Sequence, residues 1–219
     1  MEDKTILLSS TYFGPVQWYQ KLNRHHCVIA SANGPQTLTV PTERYDGLKC
    51  PMRDIRISDH GNWRHLHWQA LVSAYGETPF FEYYADDLRP YFEERRWTYL
   101  LDFNLDIMHT LCSLLDVRPT LSLSDHYITT DAPTAAHAAT TTVHAAATAT
   151  TGGSDSMEEE ARSNFIDLRD AIRPKRPLPD SEFDPRPYYQ VRAARHGFHP
   201  NLSVLDLLFN EGPEGIFWL

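Results

Sequence analysis

The segment from Asn62 to Pro79 constrains the fold more than any other, because its apolar residues recur with the period of one buried helix face. Trp63, Leu66, His67, Ala70, Leu71, Ala74 and Tyr75 fall at i, i+3, i+4, i+7, i+8, i+11 and i+12, which is the stripe a helix turns toward a core. Asn62 stands where an N-cap is expected, Gly76 suits a left-handed C′ position, and Pro79 stops the helix. The stripe carries His67, whose imidazole, partly shielded by Trp63, Leu71 and Tyr75, is placed to serve as a general base near neutral pH. The competing reading is a satisfied core histidine.

The flanking sequence supplies further elements. Ile6 to Leu8 reads as a short strand, Ser9 to Gly14 as a loop, and Pro15 as the first position of a helix over Val16 to Leu22. Strands at Cys27 to Ala30 and Thr37 to Val40 are joined by the turn signal Ala32, Asn33, Gly34 and Pro35, and Ile55 to Ser58 forms another strand. Helices fit Phe80 to Leu88 and Asp102 to Leu115, the second with Asp102 as cap, and Leu121 to Leu123 reads as a late strand. The last helix, Leu202 to Phe209, is capped by Asn201 or Ser203 and ended by Gly212. Being apolar nearly all round, it is either a core element or the contact of a homodimer. The expected fold is α/β: one domain, with a mixed sheet of short strands covered by helices and a C-terminal core helix. The N-terminal strands disfavour an all-helical fold.

Residues 1–129 and 186–219 are assigned to that domain. Between them, residues 130–185 read as an insertion that is largely disordered. Its first part is almost entirely Ala, Thr and His without an apolar stripe, and its later part is rich in proline. His137 and His144 are isolated within it and are left out of the site. His65 and His67 face apart on a helix, so they make no metal pair and no metal is indicated, while the sequence leaves any cofactor unidentified.

A net charge of -9 and a pI near 5.6 argue against a general grip on nucleic acid, which needs a basic face. The opening residues lack a signal-peptide pattern, and no stretch approaches the roughly 20 apolar residues of a membrane span. A soluble cytoplasmic protein is expected. Cys27, Cys50 and Cys112 lack the spacing of a zinc site or disulfide framework and read as reduced thiols, with Cys112 a small core hydrophobe.

Two further groups of residues bear on chemistry. Ser9, Ser10, Thr11, Tyr12 and Gly14 lie where a strand end meets a helix N-terminus, a geometry that favours phosphate or carboxylate, although such loops more often only cap helices. Asn104 lies on an otherwise apolar helix face, where its amide must find a partner in a substrate or in neighbouring backbone. Trp63 and Tyr75 belong to an aromatic set suited to stacking on sugar rings or to building core.

Trp63, His67, Leu71, Tyr75 and Pro79 at four-residue steps resemble the central motif of the WbqC-like family of bacterial proteins. Leu8 to Pro15 with Trp18, Tyr19, Lys21 and Leu22 is similar to the family's first strand and helix, and Leu38 to Pro41 to its next strand. Gly197 to Glu214 closely resembles the last helix of Bacteroidetes-type members. The resemblance implies a role in surface-polysaccharide biosynthesis of the O-antigen type, with transfer of an acyl or aminoacyl group, such as glycine, onto a sugar or nucleotide-sugar substrate. On that reading His67 is the base, Asn104 orients the acyl carbonyl, and Ser9, Ser10, Thr11, Tyr12, Trp63 and Tyr75 contact substrate. The alternative is a non-catalytic glycan-binding or assembly module. Two features depart from the family pattern: only Asn23 to His26 spans a region usually longer, and Ser10 and Thr11 stand where a His-Gln pair is frequent.

Overall fold

In the computed structural model, residues 5–21, 27–47, 50–119, 121–124, 165–169 and 183–219 are described. The shortened segment at Asn23 to His26 and most of the 130–185 segment lie outside them. The helix read from the aromatic stripe spans Trp63–Tyr75 (α2), but its buried face is rotated from the expected one. Leu66 is 63% exposed, whereas Trp68 and Arg64 are buried beside Trp63, His67, Leu71, Ala74 and Tyr75. Arg64 is tolerated inside because its guanidinium lies 4.4 Å from the centroid of the Trp63 ring and pairs with Asp59. The N-cap stands at the expected residue, Asn62, but makes no side-chain bond, and the C-terminal glycine differs in conformation: Gly76 is right-handed, at φ -57°.

Before α2 come β1 (Thr5–Leu7), α1 (Val16–Lys21), and β2 (Cys27–Ser31) with β3 (Gly34–Leu38). After it come α3 (Phe81–Leu88), α4 (Pro90–Glu93), α5 (Leu100–Leu114), β4 (Phe165–Asp167), α6 (Ala193–His196) and α7 (Val204–Glu211). Tyr99, not Asp102, is the N-cap of α5; Asp102 lies in its first turn. The protein therefore mixes helices with a few short strands, but a single mixed sheet is not seen among the described residues. β1 pairs in parallel with β4, a strand from within the 130–185 segment, and β2 pairs antiparallel with β3 as the turn signal implied. The strand expected at Ile55 to Ser58 is reduced to isolated bridges, Arg56 to Tyr99 and Ile57 to Thr42, and Leu121 to Leu123 has no regular structure. Strands of three to five residues cannot cover a core, so helices and aromatic rings do so.

α7 resolves into a core element. From Val204 to Asn210 every residue is buried, and its start ties the two ends of the chain together. The Ser203 hydroxyl accepts from Leu205 N and donates to Phe13 O at 2.8 Å, Val204 N donates to Gly14 O, and Val16 N donates to Leu202 O. These bonds hold the loop before α1 in a conformation it would not choose alone. Phe13 has φ 41°, the left-handed region that a bulky residue rarely adopts. Stacking of its ring on Phe92, with centroids 5.6 Å apart, offsets part of that cost. At the other end Gly212 closes α7 with φ 60°, where a Cβ would lie 2.7 Å from the Phe80 ring.

Candidate functional site

The strained loop delivers Tyr12 to the histidine of α2. Tyr12 Oη and His67 Nδ1 are 2.9 Å apart in a buried bond that joins residues 55 positions apart in sequence. The two rings sit against Trp63 and Phe103, with Tyr12 stacked on Phe103 at 5.7 Å and Trp63 edge-on to His67 at 5.2 Å. His67 is 7% exposed, and burial pushes its pKa from 6.5 down to about 4. It is therefore neutral at physiological pH, well below the near-neutral titration expected of it. In the Nε2–H tautomer its Nδ1 accepts the phenol proton.

Tyr12 also lines a cleft of about 250 Å³, together with Asn104, Thr39, Val40, Thr42, Ile55 and Leu100. Asn104, on α5, is 1% exposed; its Nδ2 donates to Ser10 Oγ at 3.2 Å, while its Oδ1 has no hydrogen-bond partner. The structure thus brings Ser10, Tyr12, His67 and Asn104 together. Trp63 adjoins them as a buried wall, its Nε1 donating to Ser58 O. Ser9 contributes its carbonyl to Trp18 Nε1, and Thr11 is buried with its hydroxyl unpartnered. The start of α1 has no amides to spare for an anion, since Val16 N donates to Leu202 O and Gln17 N to Asn201 Oδ1.

Tyr75 lies elsewhere. Eight residues beyond His67 on α2, roughly 12 Å along the helix axis, it is fully buried against Phe209. It faces Asp206, as do Tyr188 and Gln190. Tyr188 donates to Asp206 Oδ2 at 2.8 Å, Asn210 Nδ2 donates to the Asp206 carbonyl, and Oδ1 lacks a well-formed partner. Burial raises the Asp206 carboxyl to about 6 and the Tyr188 phenol above its usual range.

A carboxyl raised in the folded state contributes stability that is complete below its unfolded value of 3.8 and lost as pH rises through about 6. Asp206→Asn, which removes the charge but keeps an acceptor for Tyr188, should therefore be more stable than wild type at neutral pH, by up to about 3 kcal/mol. The difference should vanish near pH 4. Urea midpoints measured across that range test this, and a variant less stable than wild type at pH 7.5 would contradict it.

Sequence reasoning missed Thr42, Ile55 and Leu100 as cleft residues, because nothing local marks them. Thr39 and Val40 had a signal in the Leu38 to Pro41 motif. Asp206 and Ser203 gave weaker ones, as polar residues in an otherwise apolar helical stretch. Cys112 is buried as expected, its thiol pushed up to about 11. No helix among the described residues is long and apolar enough to cross a membrane.

Comparison with known proteins yields a match to the WbqC-like protein family over residues 9–217. An uncharacterised protein of Mycobacterium tuberculosis (strain ATCC 25618 / H37Rv) is 30% identical over 202 residues, covering 92% of this chain and 83% of its own length. That relative is mycobacterial, and the Bacteroidetes-type membership expected from the C-terminal motif is not confirmed. No solved structure matches the chain.

Proposed function

Since the chain belongs to the WbqC-like protein family, we propose that it is a cytoplasmic enzyme of surface-polysaccharide assembly of the O-antigen type, transferring an acyl or aminoacyl group such as glycine onto a sugar. The observation that carries this reading is the buried Tyr12–His67 pair set behind a cleft that Tyr12 and Asn104 line. A sugar amine or hydroxyl in the cleft attacks the acyl carbonyl carbon. As that bond forms, the acceptor's proton passes to the Tyr12 oxygen while the Tyr12 proton moves to His67 Nδ1. The bond from the acyl carbon to the donor's leaving atom then breaks, and the proton returns through Tyr12 to the leaving group. With the imidazole held at about 4, His67 keeps the proton only during the transfer. The Asn104 amide orients the reactants.

A non-catalytic glycan-binding or assembly module is the second reading. It is favoured by the interior placement of Trp63 and Tyr75 and by the fact that His67 does not itself line the cleft. The deciding experiment is the intact mass of the glycan repeat from a deletion strain complemented with wild type or with a folded His67→Ala variant. Transfer requires a mass that disappears on deletion, returns with wild type and fails to return with the variant. An unchanged repeat in the deletion strain would leave the binding module.

A further inference from the structure

We infer that the cleft receives an uncharged monosaccharide ring whose hydroxyl or amide N–H donates to Asn104 Oδ1, and that phosphate and carboxylate groups of the reactants stay outside it. This deepens the assignment of the cleft as a sugar site and rests on it. Three observations carry the inference. The lining has no charged side chain: Thr39, Thr42, Asn104 and Tyr12 are neutral, and Val40, Ile55 and Leu100 are apolar. That mixture suits a pyranose, which has C–H faces and hydroxyl edges, and it offers an anion no counter-charge. The amides at the start of α1 that might have held one are already bonded.

The second observation is the orientation of Asn104. Asn104 lines the cleft with Nδ2 bonded to Ser10 Oγ and with Oδ1 buried and unpartnered, so the unsatisfied group of this lining residue is an acceptor. A ligand group that donates satisfies it, and a missing bond of this kind is worth roughly ten- to hundredfold in an equilibrium. A phosphate or carboxylate oxygen would be repelled. The third is size. At about 250 Å³ the space falls below the roughly 300–1,000 Å³ of pockets that enclose drug-sized ligands. One ring fits, whereas a whole nucleotide sugar would project into solvent.

The test is ligand-observed NMR titration of the full chain with neutral probes (methyl glucoside, galactoside and mannoside, and N-acetylglucosamine) and with anionic ones (glucose phosphate and glucuronate). At least one neutral ring should bind in the millimolar range, with its anionic counterpart at least about tenfold weaker. Asn104→Leu should weaken the neutral ligand by roughly ten- to hundredfold while leaving the melting temperature equal to or above that of wild type. A purely structural asparagine would instead lower it.

If Asn104→Leu does not fold, Thr42→Val, which removes only a hydroxyl from the lining, should weaken the same ligand severalfold. Failure of every neutral ring to bind, equal or tighter binding of an anion, or normal binding by these variants would overturn the inference. Neutral binding together with an unchanged glycan repeat in the deletion strain would refute transfer and leave this inference standing. A restored mass without neutral binding would do the reverse.

Discussion

Tyr12→Phe should slow the return of the added mass to the glycan repeat by about 10²- to 10⁴-fold, the usual range for removing a positioned proton-transfer group, while the protein still folds and accumulates. The phenol oxygen is the only atom lost, and the ring keeps its place on Phe103 and beside Phe13. What disappears is the link between the cleft and a histidine that does not line it. The readout is the rate at which the mass reappears after the variant is induced in a deletion strain, compared with wild type at equal protein level. His67→Gln sharpens the result: glutamine can still accept from Tyr12 but cannot carry the proton away. A near-normal rate in that variant would reduce His67 to a positioning residue, and a near-normal rate in Tyr12→Phe would remove the pair from the reaction.

Phe103→Ala should cost about 3–5 kcal/mol of stability, the range for emptying a fully buried aromatic site. Phe103 has no exposed surface and is a hub of the aromatic core. Tyr12 stacks on it, and Tyr91, Trp63 and Trp97 meet it edge-on at 6.0, 6.2 and 5.0 Å. Relaxation into the cavity is hindered because each neighbour is committed elsewhere. Trp97 Nε1 donates to Asp106, Trp63 Nε1 to Ser58 O, and Tyr91 Oη to Asp106 O. The loss should be read from the denaturant midpoint at an unchanged m-value. A cost below about 1 kcal/mol would mean that the aromatic cluster repacks and does not hold Tyr12 rigidly. Because Phe103 supports Tyr12, the variant should also lose transfer faster than its fraction unfolded explains.

Much of the candidate site was legible in the sequence for a local reason. A histidine and an asparagine on otherwise apolar helical faces are expensive to bury, so each announces a partner. His67 and Asn104 were found in this way, and the loop before α1 by its hydroxyls and its place at a strand end. The partners themselves were not legible. His67 is bonded to Tyr12 across 55 residues and Asn104 to Ser10 across 94, and no periodicity encodes such pairings. Tyr75 shares the stripe of His67 yet belongs to the Asp206 cluster, because one helix face can serve two environments along its length.

What the sequence by itself determined is what depends on neighbours within a few residues: the helices α1, α2, α3, α5 and α7 to within two residues or so, the β2–β3 hairpin, a cap for α7 at Asn201 or Ser203, and two of the polar residues of the cleft. Only the tertiary structure decided the rest. It turned α2 so that Trp68 and Arg64, and not Leu66, face inward, and it split the strands into separate pairs. Through α7 it held Phe13 in the left-handed region that presents Tyr12 to His67. Periodicity specifies that a face is buried within an error of about one residue's rotation, roughly 100° on a helix. The packing of partners distant in sequence selects among those rotations, and the depth of burial it sets also fixes the low pKa of His67.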